Sequence, residues 1–258
     1  MTEILIGDFL LVLYIFLRVI AMIIAAPVLG HNSIPAVARI FISFVIAYIT
    51  FLTIDKSKII IDVNLVTIIV NSAREIIMGL IMGFTLNFIF YGISYAGHLI
   101  GYDMGLMFSE VLNPMQDIQN NVVGEIIFYL SMMIFLLING HHHIISAVVA
   151  SFELVPIAKF TVTQPLISLI IKLSFAVFII AMKIAAPIVV SYFLIHIAEG
   201  IIARVIPNIQ IFFITQPAKI GLGLIFLSIL IPIYFYAIKN LLNNYEYQLS
   251  EMIRAMSV

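Results

Sequence analysis

An all-helical membrane protein is the fold class this sequence predicts. Three observations carry it. Of 258 residues, 64% are hydrophobic and 10% charged, against about 45–50% and about 25% in a soluble domain. The mean hydropathy is +1.22. The apolar residues gather into runs of the roughly 20 residues needed to cross a hydrocarbon core of about 30 Å, separated by short turn-forming or charged stretches.

Residues 9–29 form the first run. The preceding MTEILIGDF is acidic where a secretory signal would be basic, so the run is expected to be retained. GHNSIP (30–35) stops this helix and starts the next, over 36–54. The charged connector DKSKIIIDVN (55–64) leads to a third run over 65–95. A fourth follows over 122–145, then the polar link FELVPIAKFTVTQP (152–165), a fifth run over 166–206 and a sixth over 211–242. The third and fifth are too long for one straight crossing. The tail NNYEYQLSEMIRAMSV reads as a surface helix. No link resembles a flexible interdomain linker, so one domain over 1–258 is expected.

Charges inside the runs set the next constraint. Arg18 lies in the first, Arg74 and Glu75 in the third, Glu125 in the fourth, and Lys172, Lys183, Glu199 and Arg204 in the fifth. An ion at bilayer depth costs at least about 2.5–3.5 kcal/mol unless it finds a partner or water. Opposite charges three or four apart, able to meet on one helix face, occur outside the runs, as Asp55 with Lys58 and Glu251 with Arg254. Arg74 and Glu75 are adjacent and point about 100° apart on a helix, so they do not simply neutralise each other. The ions must be met from other helices, other chains or an aqueous lumen. Lysines and arginines near the run ends are too sparse and divided to fix an orientation.

Glycines four apart, which permit close approach of a neighbouring backbone, occur as Gly79 and Gly83 and again as Gly97, Gly101 and Gly105. Ordinary helix packing accounts for the first pair. The second set continues into SEVLNPMQDIQNN (109–121), which is polar and carries a proline. Irregular backbone at membrane depth is tolerated only where protein encloses it or it lines a water-filled cavity. This segment is either an external loop or a constriction inside a pore.

Several function classes are excluded. A net charge of -1 cannot neutralise a row of phosphates, which removes nucleic acid as a partner. With no cysteine there is neither a disulfide framework nor a thiolate metal site. His141, His142 and His143 are consecutive, and side chains fanning by about 100° each do not converge on one ion. His196 and Glu199, three apart, suit a hydrogen bond or a proton relay. No phosphate loop, HExxH or nucleophile elbow occurs. Neither enzyme activity nor a cofactor is expected.

Three passages together resemble the FliR family of flagellar type III export-gate proteins, to which injectisome proteins are related. They are REIIMGLIMGF (74–84) followed by AGHLIGYDMGLMFSEVLNP (96–114), LLINGHHHIISAVVASFELVP (136–156), and KIAAPIVVSYFLIHIAEGIIARVIPNIQIFF (183–213) with TQPAKIGLG (215–223). Pro27, Pro35 and Arg39 also match. Two departures stand out: Pro207, Asn208, Ile209 and Gln210 exchange the amides of the usual Pro-Gln-x-Asn, and Met115 follows Pro114 where a Gln is usual, with Gln116 one place later.

The resemblance implies a non-enzymatic subunit of the bacterial inner membrane, in the flagellar basal body, assembled with FliP and FliQ and contacted by FlhB and FlhA. It implies a narrow path for unfolded proteins, closed by a plug at 108–121. Met104, Gly105, Met107, Phe108, Glu110, Asn113, Pro114, Met115 and Gln116 would contribute to closure. Gly97, Gly101 and Gly105 would set helix proximity. Arg18, Arg39, Arg74, Glu75, Glu125, Lys183, Glu199, Arg204 and Lys219 would make interhelical or intersubunit contacts. It also implies that the runs stack as hairpins in the assembly rather than crossing the bilayer six times. A rival from the residues alone is a secondary transporter or ion channel with Glu125, His196 and Glu199 as coupling groups.

Overall fold

The structure, a computed structural model, describes residues 2–54, 64–106, 121–207 and 211–256, apart from the side chains of residues 2–5, 212 and 213. Every regular element among them is an α-helix: α1 (Thr2–Ala25), α2 (Ala36–Thr53), α3 (Leu65–Asp103), α4 (Val122–Leu137), α5 (Gly140–Leu154), α6 (Gln164–Val205), α7 (Ile211–Asn243) and α8 (Tyr245–Met256). Five are long and apolar enough to cross a membrane, or six if α4 and α5 together count as one broken span. At 39 and 42 residues, α3 and α6 extend about 58 and 63 Å at 1.5 Å per residue. Each is roughly twice the thickness of a hydrocarbon core.

The fourth run does not continue unbroken to residue 145. Asn139 adopts φ 57°, ψ 31° between α4 and α5, the left-handed conformation that asparagine tolerates better than most residues. Hydropathy is blind to that break.

Contacts divide the chain into two compact units: 1–88, 136–174 and 242–258 in the first, 89–135 and 175–241 in the second. In the first unit α1 pairs with α2, whose inner face is the small-residue line Ser43, Ala47 and Thr50. The hydroxyls of Ser43 and Thr50 donate to the carbonyls of Arg39 and Ile46, one turn back, so they add no unsatisfied polar group to the seam. Against α3, α1 forms a second seam whose members are four residues apart: Glu75, Gly79, Gly83 and Asn87. Glu75 takes Arg18. A side chain at Gly79 would strike the Arg18 carbonyl and Ala21, and one at Gly83 the Met22 carbonyl and Ala25. The Asn87 amide donates to the Ala25 carbonyl, in the last turn of α1. The amphipathic α8 buries Tyr245, Leu249, Met252, Ile253 and Met256, and the Ala255 carbonyl accepts a 2.5 Å bond from Thr163 at the start of α6.

In the second unit α3 packs on α6 and α4. Gly92 lies against Ile180, and the Phe90 ring meets Phe128 and Phe135 edge-on at 5.7 and 6.1 Å between centroids. These are favourable aromatic geometries.

Candidate functional site

The site grows from the way α3 ends. The Gly105 N–H bonds the Tyr102 carbonyl at 2.9 Å and the Leu106 N–H bonds the Gly101 carbonyl at 3.1 Å. With Gly105 at φ 76°, this is the Schellman arrangement, in which a left-handed glycine just past the helix turns the chain away. Gly105 was expected to set helix proximity; its left-handed backbone, which side chains rarely adopt, also ends α3 there.

Helix ends leave carbonyls without intrahelical donors. Here the Gln216 amide of α7 donates to the Met104 and Gly105 carbonyls at 3.2 and 2.9 Å. A side chain at Gly105 would overlap the Gln216 amide, and one at Gly223 would strike Met104 and the Tyr192 hydroxyl. That hydroxyl donates to the Lys219 carbonyl at 2.5 Å, fixing α7 against α6. Gln216, Lys219 and Gly223 thus share one side of α7.

Where the chain returns, Asn121 performs two tasks. Its carbonyl oxygen accepts from the N–H groups of Val123 and Gly124 at 3.0 and 3.4 Å, which is N-capping of α4. Its amide donates to the carbonyls of Gly97 and His98 at 3.0 and 3.2 Å. Gly101 accommodates the Asn121 side chain and Gly97 the backbone of Gly124. Departure at Gly105 and return at Asn121 therefore lie within about two turns of one helix, α3. Met107, Phe108, Glu110, Asn113, Pro114, Met115 and Gln116 lie outside the described residues.

Beside the α3 terminus is an ionic group. The Lys219 ammonium, almost wholly buried, contacts Glu199 Oε2 at 2.7 Å and His196 Nδ1 at 3.3 Å. His196 Nδ1 also lies 3.2 Å from Glu199 Oε2. Lys219 and Glu199 both lie within hydrogen-bond reach of His196 Nδ1, and the imidazole tautomer decides which of the two contacts is a bond. The expected His196–Glu199 contact exists, with Lys219 as its third member.

The remaining expected charges separate into engaged and exposed groups. In the first unit Arg18 Nε donates to Glu75 Oε2 at 2.6 Å, with both side chains 0% exposed. Arg18 Nη1 reaches the Ser151 carbonyl and hydroxyl and the Val155 carbonyl at 3.1–3.2 Å, and the guanidinium carbon lies 4.0 Å over the Phe152 ring, a cation–π contact. Arg74 and Glu75 grip one residue from two sides: Glu75 Oε1 accepts the Ala158 N–H at 2.8 Å and Arg74 donates to its carbonyl at 3.0 Å. Ala158 is left-handed, φ 66°, a conformation that costs an alanine about 1–2 kcal/mol. Arg39 donates to the Gly30 carbonyl at 3.1 Å. Glu125, Lys183 and Arg204 are exposed. Of the interhelical or intersubunit contacts expected, those of Arg18, Glu75, Glu199 and Lys219 run between helices of this chain that are distant in sequence. His143 pairs with Glu246 of α8 at 3.4 Å, and no group of three or more metal-ligating side chains occurs among the described residues.

Sequence reasoning missed Gln216 and Tyr192 as members of the site. The sequence offered only an amide just before Pro217 and the position of Tyr192 four residues before His196, one helical turn away on the same side of α6.

The pattern of bacterial export proteins, family 1, matches residues 9–245. Curated relatives are named flagellar biosynthetic protein FliR. The one from Bacillus subtilis is 30% identical over 232 residues, 88% of each chain. The Escherichia coli protein is 26% identical over 217 residues, covering 84% of this chain and 82% of its own, and that of Aquifex aeolicus is 24% identical over 236 residues, 90% of each. With an all-α fold of long apolar helices and a family match spanning nearly its whole length, this chain belongs to the bacterial export proteins, family 1, the family of the FliR proteins.

Proposed function

We propose that this chain is a structural, non-enzymatic subunit of the flagellar type III export gate in the bacterial inner membrane, and that its polar segment closes the path taken by unfolded flagellar proteins. The observation that carries the closing role is the pair of anchors: the chain leaves α3 at Gly105 and returns through Asn121 to the same helix. A segment with close, fixed ends can enter a lumen as an Ω-like insert without disturbing the helices that bear it. Exposed Lys183 and Arg204 on α6, without an ion pair among the described residues, support an assembly, since ions on an apolar helix need partners or water. FliP, FliQ, FlhB and FlhA are the subunits this reading names.

Deleting residues 108–114 in the assembled complex is expected to raise passage of small solutes several-fold while leaving complex recovery unchanged. An unaltered leak in a fully assembled complex would reject the closing role. Saturable uptake of a small solute by the purified chain alone would replace the gate with a transporter.

A further inference from the structure

We propose that Asp103, His196, Glu199 and Lys219 form a proton-binding site, with His196 Nδ1 as the atom that takes the proton. The inference goes beyond the gate reading and stands without it. Three helices of the second unit supply the group. The Lys219 ammonium of α7 lies 2.7 Å from Glu199 Oε2 and 3.3 Å from His196 Nδ1, both on α6. Asp103, at the end of α3, stands within electrostatic reach of His196 and Lys219.

Charge balance makes the proton welcome. Two carboxylates against one ammonium leave the group with one net negative charge while the imidazole is neutral, and a single added proton cancels it. An uncompensated ion among apolar helices is costly, so the surroundings favour the balanced state. The other described charges of this unit stand apart from the group. On α6, Lys183 is more than three turns before His196 and Arg204 about two turns after it, and both are exposed. Glu125 of α4 follows Gly124, which packs on Gly97 and not at the end of α3. Exposed His98 and Lys239 lie more than one turn from Asp103 and more than five from Lys219 along their own helices. The Tyr192 hydroxyl donates to the Lys219 carbonyl.

The geometry serves both states with the heavy atoms where they are. Nδ1 has a donor, Lys219, at 3.3 Å and an acceptor, Glu199 Oε2, at 3.2 Å. With the ring neutral and its proton on Nε2, Lys219 donates to Nδ1. When a proton from water binds Nδ1, that N–H donates to Glu199 Oε2, and Lys219 keeps its bond to the same oxygen. The His196 side chain is 46% exposed, against 16% for Glu199 and 4% for Lys219, so the imidazole is the point of entry.

The purified full chain in mild detergent tests this. With only the histidines labelled for NMR, His196 is the one signal of six that His196→Gln removes, and its response to pH reports the proton affinity. Asp103→Asn and Glu199→Gln keep the side-chain shape and each remove one negative charge. Each is expected to weaken proton binding at His196 at least about tenfold, the scale of a nearby unit charge in a partly buried site. Lys219→Met removes the cation and is expected to strengthen binding by a similar factor. Tyr192→Phe breaks a bond between α6 and α7 but alters no charge, and should leave the affinity unchanged. Equal affinities in the unaltered chain, Asp103→Asn and Glu199→Gln would overturn the site, as would a loss in Tyr192→Phe as large as in the charge variants. If Lys219→Met fails to fold, the two shape-preserving variants still decide.

Discussion

Two stretches of α3 carry glycines at the same spacing and use them differently. Gly79 and Gly83 lie within one uniform seam, bounded by Glu75 and Asn87, in which the backbone of α1 crosses close to α3. Gly97, Gly101 and Gly105 each meet a different object: the backbone of Gly124, the side chain of Asn121 and the side chain of Gln216. The first set makes a permanent contact between two helices. The second provides seats for the two ends of a segment. Spacing alone reports that something comes close, and the identity of what comes close decides whether two helices are joined or a chain end is seated.

The permanence of the first seam is most directly broken at Arg18. Arg18→Met leaves Glu75 buried without its cation, an error that costs about 3–5 kcal/mol. The fraction of monodisperse protein surviving a heating series in mild detergent is expected to fall sharply. Arg18→Met with Glu75→Leu removes both charges and should recover much of the loss, since replacing a whole buried pair by apolar groups is often close to neutral. Equal damage in the single and double variants would show that packing, and not charge pairing, sustains this seam.

A smaller effect tests the seats, and it is asymmetric. A β-carbon at Gly97 would press into the Gly124 backbone, whereas one at Gly124 would find its nearest neighbours at 3.5–3.7 Å, ordinary contact distances. Gly97→Ala should therefore destabilise by about 1–3 kcal/mol through overpacking. Gly124→Ala, on the other side of the same contact, should be neutral or slightly stabilising through helix propensity. Matched losses in the heating series would mean that the approach of α3 to α4 is looser than the Asn121 bonds indicate.

The same contrast separates what the sequence disclosed from what it concealed. Helix positions followed from hydropathy because runs of 20 apolar residues have few other uses. The pairing of Gly79 and Gly83 with a helix followed from spacing, since that contact is uniform along the seam. The break at Asn139 did not follow, because a left-handed asparagine leaves hydropathy untouched. Partners of the ions were concealed for a different reason: Arg18 meets Glu75 across 57 positions and Lys219 meets Glu199 from another helix, so no local rule could pair them. Gln216 was hidden most completely. Its role depends on how a helix ends 111 residues earlier, and a neutral amide carries no charge to signal an unmet need.

The smallest expected effect extends the comparison to glycines with no neighbour at all. Around Gly200 in α6 and Gly221 in α7, a β-carbon would meet nothing within 4 Å among the described residues, so neither serves a contact between them. Glycine within a helix is less stable than alanine by about 0.5–1 kcal/mol, so Gly200→Ala and Gly221→Ala should each raise the heat resistance of the isolated chain slightly. If these helices face neighbouring subunits, an added methyl meets a partner backbone only after assembly, and recovery of the complex should fall even as the chain alone gains. A stabilised chain with undiminished complex recovery would reduce both glycines to simple defects in their helices. The close-approach role would then rest with Gly223 and the glycines of α3, each of which has its neighbour within the chain.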